Sequence, residues 1–282
     1  MDRNSIVVGD TRELMKQLPD RSVNCIFTSP PYYNLRDYGA DGQIGLELSV
    51  NEYIDQLCIV FTESKRVLTD DGSLWVNIGD SFCSGGAVDN TEYLRRHPEK
   101  DCRQLRIVRR AKDPNRVPKE KIGIPYILRI AINNIGFISR QDIVWNKPAA
   151  NPFTGTDRFR CEHEYLFHFV KRIPYYFDHS IGRLRKYSDW SNSKDGVLIG
   201  DVWHIPQTKN TDHIATFPES LVRVPILSTC PIDGLVLDPF IGSGTTAVVA
   251  AKNGMDYLGF EINKEFALLA EKKLDNLGLK MF

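Results

Sequence analysis

The chain has no charge surplus of either sign. Its 36 Lys and Arg balance 36 Asp and Glu, so whole-molecule charge selects neither a polyanion nor a membrane surface as partner. No apolar run approaches the roughly 18 residues of a spanning helix. The six cysteines (Cys25, Cys58, Cys83, Cys102, Cys161, Cys230) are scattered, with no CxxC pair. That pattern speaks for a reduced compartment without a zinc site, and no metal-ligand spacing is present. MDRNSIVVGD does not read as a signal sequence, which makes a cytoplasmic protein the expectation. There is no internal repeat and no low-complexity tract. There is also no GxGxxG, and no GK[ST] follows a glycine-rich turn, so neither the usual dinucleotide fingerprint nor a phosphate loop is spelled out.

What the chain does have is alternation. Apolar, β-branched runs at Ile6–Val8, Val23–Phe27, Ser73–Ile78, Asp142–Trp145, Tyr165–Val170, Leu235–Asp238 and Tyr257–Ile262 predict strands. Helical periodicity lies between many of them. Thr11–Leu18 ends at Pro19-Asp20. Ser49, with Glu52 three positions on, predicts a capping box opening a helix to about Leu68. Further helices are predicted from Pro125 to Asn134, from Phe217-Pro218-Glu219, over Thr245–Asn253, and from an Asn263 cap to about Leu277. The order argues for an α/β fold, an open, doubly wound sheet. With 282 residues the expectation is a single domain over 1–282, interrupted near 79–121 and 149–212.

Two of the predicted strands run into unusual turns. The first is VLDPFIGSGTT, residues 236–246. A buried strand ends in Asp238, a turn containing Gly242 and Gly244 follows, and a helix begins. Glycines there permit unusual φ angles and close backbone approach, and the new helix presents free N–H groups. Glu261 ends the next strand, 23 positions after Asp238, and a carboxylate so placed can accept both hydroxyls of a ribose. Ligands bind at the carboxyl ends of such strands. The order strand, glycine turn, helix, strand, acid fits a nucleoside ligand without phosphate.

The second is TSPPYYNLRDYG, residues 28–39. Its two prolines fix two φ angles and remove two backbone donors, and Ser29, preceding a proline, is pushed to an extended conformation. The result is a stiff turn that offers carbonyl acceptors and tyrosine faces, suited to holding something flat.

DPFIGSGTT and TSPPY together resemble the amino-methyltransferases that modify DNA bases with S-adenosylmethionine. The order here, catalytic motif first and cofactor motif second, is similar to the circularly permuted beta group, whose Rossmann-like methyltransferase sheet carries inserted DNA-recognition segments. GDTRELMKQLPDRSVNCIFTSPPY at 9–32, DIVWNKP at 142–148 and the segment His213–Leu227 match other parts of the family. One departure is HIATFPESLV, where the family often has a His-Pro-Thr-Gln-Lys-Pro run: His213 and Pro218 remain and the lysine is lost. The resemblance implies S-adenosyl-L-methionine as cofactor, held by Asp10, Thr28, Asp238, Pro239, Phe240, Gly242, Ser243, Gly244, Thr245 and Glu261. It implies a catalytic set of Ser29, Pro30, Pro31 and Tyr32. The Ser29 hydroxyl and the Pro30 carbonyl would accept the hydrogens of an exocyclic amine, and Tyr32 would stack on the base. Ser at this position goes mostly with cytosine N4 and Asp with adenine N6, so cytosine N4 is the expected target and adenine N6 the alternative. The chain has no Pro-Cys dipeptide, which argues against carbon-5 cytosine methylation. The substrate would be double-stranded DNA, acted on by a monomer or homodimer, with or without a cognate restriction endonuclease. Two other classes are weighed: a non-catalytic nucleic-acid-binding protein that retains the cofactor pocket, and a nicotinamide oxidoreductase, disfavoured by the glycine pattern.

The balance of charge is uneven locally. From Glu92 to Lys121 there are eleven Lys and Arg against five acids. Beside a DNA-modifying site, this basic insertion over 79–121 is expected to grip phosphates through Arg106, Arg109 and Arg110, with a solvated, mobile insertion the other reading. The region 149–212, with Arg158, Arg160, Trp190 and Trp203, is where the beta group usually carries its target-recognition region. Trp145 and Lys147 border the base pocket or the DNA, with core packing the other reading for Trp145. Asp10 both approaches the cofactor adenine, by resemblance, and caps the helix at Thr11. Tyr33, Arg36 and Tyr38 either order over the substrate or form an ordinary surface loop.

Overall fold

The computed structural model describes residues 1–83, 113–148, 157–184, 197–207 and 217–278. Strands β1 (Ser5–Val8), β2 (Val23–Thr28), β3 (Leu68–Ile78), β4 (Ile138–Asn146), β5 (His163–Val170), β8 (Val202–His204), β9 (Leu235–Asp238) and β10 (Asp256–Glu261) form one sheet in the order β1-β10-β9-β2-β3-β5-β4-β8. A separate two-stranded ribbon pairs β6 (Arg183–Leu184) with β7 (Val197–Leu198). The helices are α1 (Thr11–Leu14), α2 (Val50–Val67), α3 (Ile124–Asn134), α4 (Glu219–Thr229), α5 (Thr245–Lys252) and α6 (Lys264–Asp275).

The five strands from β1 to β3 in the sheet order run parallel. β5 pairs antiparallel with both β3 and β4, and β8 is parallel to β4. The carboxyl ends of the parallel strands therefore share one edge with the amino end of β5 and the carboxyl end of β4. That edge carries the candidate site. Both faces of the sheet are covered, as period-two side-chain alternation requires. Ile26, Leu74, Val76, Ile78, Phe167 and Phe169 face one cluster with Tyr53, Leu57 and Phe61 of α2 and Leu128 and Ile132 of α3. Their neighbours Cys25, Phe27, Trp75 and Leu166 face the other, with Leu221, Val222 and Ile226 of α4 and Val249 and Ala250 of α5.

Several boundaries differ from the sequence expectation for local reasons. The helix expected over Thr11–Leu18 is α-helical only to Leu14 and then tightens into a 3-10 turn over Met15–Gln17. β3 begins at Leu68 rather than at the expected Ser73, and Asp70-Asp71-Gly72 are taken into it as an irregularity. Val23 pairs with Leu68 and Cys25 already pairs with Ser73, so the extra β3 residues loop out of register. β4 starts at Ile138, four residues before the expected Asp142, because the polar run ISRQD pairs with the end of β5. The capping box is offset. Ser49 Oγ accepts from the Glu52 amide at 3.2 Å, but the Glu52 carboxylate accepts from Leu48 N at 3.1 Å rather than from the cap residue. Among the described residues, no helix is long and apolar enough to cross a membrane.

Candidate active site

The glycine-rich turn is built as its composition requires. Gly242 (φ +52°) and Gly244 (φ +86°) both sit in left-handed conformations. A Cβ on Gly244 would lie 2.8 Å from the Ala270 Cβ and 3.0 Å from its Cα, so α6 packs directly on the turn. Gly242 faces open space, with nothing but the Phe240 carbonyl oxygen, at 4.0 Å, near where its side chain would be. Ala247 is buried at the start of α5, small enough for the close helix–sheet packing that a third glycine serves in the dinucleotide pattern. The Lys273 ammonium donates to Ser243 Oγ at 2.9 Å, which ties the turn to α6 a second time.

Asp238 is fully buried. Its Oδ1 accepts from Thr28 Oγ1 at 2.7 Å and from the Phe240 amide at 3.0 Å, and its Oδ2 accepts from Thr246 Oγ1 at 2.6 Å. This carboxylate thus fastens the end of β2, where TSPPY starts, to the glycine turn and the first turn of α5. Burial pushes it up to about 6, against the pull of its hydroxyl and amide donors. Glu261 lies at the end of β10, one strand over. Its Oε2 accepts from Gly242 N at 2.9 Å and its Oε1 from Asn263 N at 2.9 Å. Burial raises it to about 7, again against those amides. A carboxylate has about four acceptor positions, so Glu261 retains capacity for hydroxyl donors. An open glycine turn beside an acceptor carboxylate, with the Lys273 ammonium engaged on Ser243, fits a nucleoside such as that of S-adenosylmethionine better than a phosphate.

Asp10 caps α1, accepting from Arg12 N at 2.9 Å, and also pairs with the Arg12 guanidinium at 2.6 Å. Burial raises the carboxyl, but the Arg12 hydrogen bonds and charge outweigh it and hold it below its usual range. Arg12 reaches on to the Gly42 carbonyl at 2.6 Å and to Gln56. Asn263 Nδ2 donates to the Tyr38 carbonyl at 2.8 Å, and the Tyr38 ring meets Phe266 edge-on at 6.1 Å. The loop that follows TSPPY is therefore pinned to the ends of both β1 and β10. Within it, Tyr33 is buried against Tyr53, and Asn34 N donates to the Gly45 carbonyl at 2.7 Å.

The TSPPY turn leaves β2 at this same edge. Ser29 is half-buried and Pro30 buried. The Pro31 carbonyl accepts from the hydroxyl of Tyr53, on α2, at 2.8 Å. Tyr32 donates its phenol to Glu164 Oε2 at 2.8 Å. Burial first, then the charge of Glu164 and the hydrogen bond to it, push the Tyr32 phenol well above its ordinary value, with a Ser29 hydrogen bond opposing. Glu164 also accepts from Asn77 Nδ2 at 3.3 Å and pairs with Lys147. Lys147 in turn lies over the Trp145 ring, 5.3 Å from its centroid.

The sequence reading did not single out Glu164, Asn77, Gly79 or Tyr53. Each reaches the turn through a long-range register or packing relation that no local pattern announces. Trp145 is buried in the core, and its indole N–H donates to the Ile205 carbonyl at 2.8 Å. Trp203 is likewise buried, bonded to the Gly200 carbonyl at 2.7 Å. Arg158 stacks over Phe82 at 4.0 Å, and Arg160 pairs with Glu162. Of the basic stretch, Arg116 pairs with Glu120 at 2.7 Å, Lys119 with Asp157 at 3.1 Å and Lys121 with Asp80 at 3.9 Å. Arg106, Arg109, Arg110, Trp190 and His213 lie outside the described residues, as do much of the 79–121 insertion and much of the 149–212 recognition region.

A doubly covered, mostly parallel sheet with an acid-flanked glycine turn and a proline-aromatic turn at one edge is the arrangement suited to a nucleoside cofactor beside a planar substrate. Comparison with known proteins is specific about which. Residues 23–272 match the N6/N4 DNA methylase family, and the chain belongs to that family. It is 42% identical over 268 residues to the type II methyltransferase M.Cfr9I of Citrobacter freundii, covering 94% of this chain and 86% of that protein. It is 38% identical over 282 residues to the type II methyltransferase M.SmaI of Serratia marcescens, covering 95% and 90% respectively. Among solved structures, PvuII DNA methyltransferase (cytosine-N4-specific) superposes with a TM-score of 0.69 at 21% identity, covering 96% of this chain and 86% of that one. The complex of M1.HpyAVI with SAM superposes with a TM-score of 0.60 at 17% identity, covering 96% and 98%. At these identities the structural likeness speaks to the fold, which is that of the methyltransferases.

Proposed function

We propose that the protein methylates the exocyclic amine of a base flipped out of double-stranded DNA, at cytosine N4, using S-adenosyl-L-methionine. One observation supports this reading above the others: the 2.7 Å hydrogen bond from Thr28 to Asp238, which ties the start of TSPPY to the glycine turn, as adjoining base and cofactor pockets would require. S-adenosylmethionine supplies an electrophilic methyl group. Glu261 takes the ribose hydroxyls, and the Gly242–Gly244 turn admits the methionine part. Asp10 stands on the adenine side, and Asp238 acts as the strut between the two pockets.

An exocyclic amine is a weak nucleophile because its lone pair is delocalised into the ring. The Ser29 hydroxyl and the Pro30 carbonyl accept hydrogen bonds from its two N–H groups, favour a pyramidal nitrogen and aim the lone pair. As the nitrogen takes the methyl group it sheds one proton, and S-adenosylhomocysteine is the leaving product. Tyr32 holds the ring plane. Catalysis is then by position and electrostatics, and the base must first leave the duplex. Ser29, rather than an aspartate, at the first acceptor position supports cytosine N4. The same reading makes the protein a cytoplasmic modification enzyme, acting as monomer or homodimer, beside a restriction endonuclease or alone. The test is transfer of labelled methyl to unmethylated plasmid by Ser29→Ala. Loss of one positioned acceptor predicts a rate lower by about 10²–10³-fold with S-adenosylhomocysteine still raising the melting temperature. A rate within twofold of wild type would contradict the role given to Ser29.

A further inference from the structure

The network behind Tyr32 is assembled by topology. β5 runs antiparallel to β3, so its second residue, Glu164, arrives at the carboxyl edge of the parallel strands, beside the turn that β2 sends out. β4 runs antiparallel to β5, so the residue after its last, Lys147, arrives there too. The Glu164 carboxylate spends both oxygens on this meeting: one on the Lys147 ammonium, the other on the Tyr32 phenol at 2.8 Å and the Asn77 amide at 3.3 Å. The Glu164 and Lys147 side chains are each only 13% exposed. The approach depends on Gly79, where a Cβ would lie 2.9 Å from Tyr32 Cε2 and 3.1 Å from Glu164 Cγ. An ionic pair this enclosed is a costly way to hold a surface, and an aromatic platform alone would need only apolar walls.

We infer that Glu164, held by Lys147, is the positioning residue of the reaction: it fixes the Tyr32 ring in the plane that the target base must adopt. This inference rests on the methyltransferase reading and deepens it. A base held a fraction of an ångström out of place, or a ring free to rotate, moves the amine off the line of attack, and misplacement of about 1 Å costs on the order of 100-fold in rate. Glu164 touches neither base nor cofactor in this account; it acts through Tyr32.

Single-turnover methyl transfer to unmethylated plasmid, expressed per cofactor-binding site, is compared for wild type, Tyr32→Phe, Glu164→Gln and the double variant. Counting binding sites removes any loss of folded protein from the rate. Each single variant is expected to lose about 10- to 100-fold while the melting-temperature rise with S-adenosylhomocysteine stays as in wild type. Because phenol and carboxylate act as one unit, the double variant is expected to be no slower than the worse single one. Multiplying losses, or a Glu164→Gln rate within twofold of wild type, would overturn the inference and leave the methyltransferase reading standing. Absence of transfer by wild type itself, with cofactor bound, would overturn that reading and the inference with it. If Glu164→Gln does not fold, Tyr32→Phe decides alone: it keeps the ring and removes only the hydrogen bond, and an unchanged rate overturns the inference.

Discussion

Asp238 and Glu261 are the residues whose chemistry most directly links site to solvent conditions. Burial raises both, to about 6 and about 7. Between their ordinary values and these raised ones each of the two groups holds a proton in the native state that the unfolded chain has released, so the stability these two groups contribute is lost as pH rises from about 4 to about 7. Ribose hydroxyls donating to Glu261 favour its charged form, so cofactor binding is expected to release protons. Near pH 7 the release should approach about half a proton per site, and affinity should rise with pH through that range. Calorimetric titration with S-adenosylhomocysteine in buffers of different ionisation enthalpy checks this. An observed enthalpy independent of the buffer would mean that Glu261 does not receive the ligand's hydroxyls.

At the scale of elements, the glycine turn and the TSPPY turn were legible because each is dictated by local backbone chemistry. Positive φ at Gly242 and Gly244 and the rigidity of Pro30-Pro31 are properties of a few adjacent residues. The parallel strands were legible as β-branched runs, and α2 by its cap. What the sequence hid is what depends on register between distant strands. Glu164 meets Tyr32, and Lys147 meets Glu164, only because β5 is inserted antiparallel between β3 and β4. β8, at Val202–His204, is a three-residue strand whose one sheet partner among the described residues is β4, too short for any periodicity. The clasp between α6 and the glycine turn is similar in kind, since Ala270 is an ordinary helical alanine until Gly244 is laid on it. Gly244→Ala combines a left-handed φ with a 2.8 Å contact at Ala270, so overpacking should cost about 1–3 kcal/mol. Thermal unfolding should show a lowered midpoint together with a weakened cofactor-induced shift. A fully retained shift would mean that the turn's close packing on α6 is not needed for the pocket.

For the whole molecule, a net charge of zero leaves DNA affinity to local charge. The described cations of the basic stretch are engaged with acids: Arg116 with Glu120, Lys119 with Asp157, Lys121 with Asp80. We propose, from the sequence, that Arg106, Arg109 and Arg110, which lie outside the described residues, contact phosphate. Replacing all three by Gln is expected to weaken DNA binding and to flatten the plot of log affinity against log salt by about 2 to 3 units of slope. An unchanged slope would remove the stretch from the DNA interface.

The central claim, methyl transfer to an exocyclic amine with Ser29 as acceptor, is tested most directly by nucleoside mass spectrometry. Unmethylated plasmid is incubated with the purified protein and labelled S-adenosylmethionine, then digested to nucleosides. The account predicts label in N4-methylcytosine. Label in N6-methyladenine would contradict the serine-based assignment of the base, and no label in any DNA nucleoside, with cofactor bound, would contradict the catalytic account as a whole.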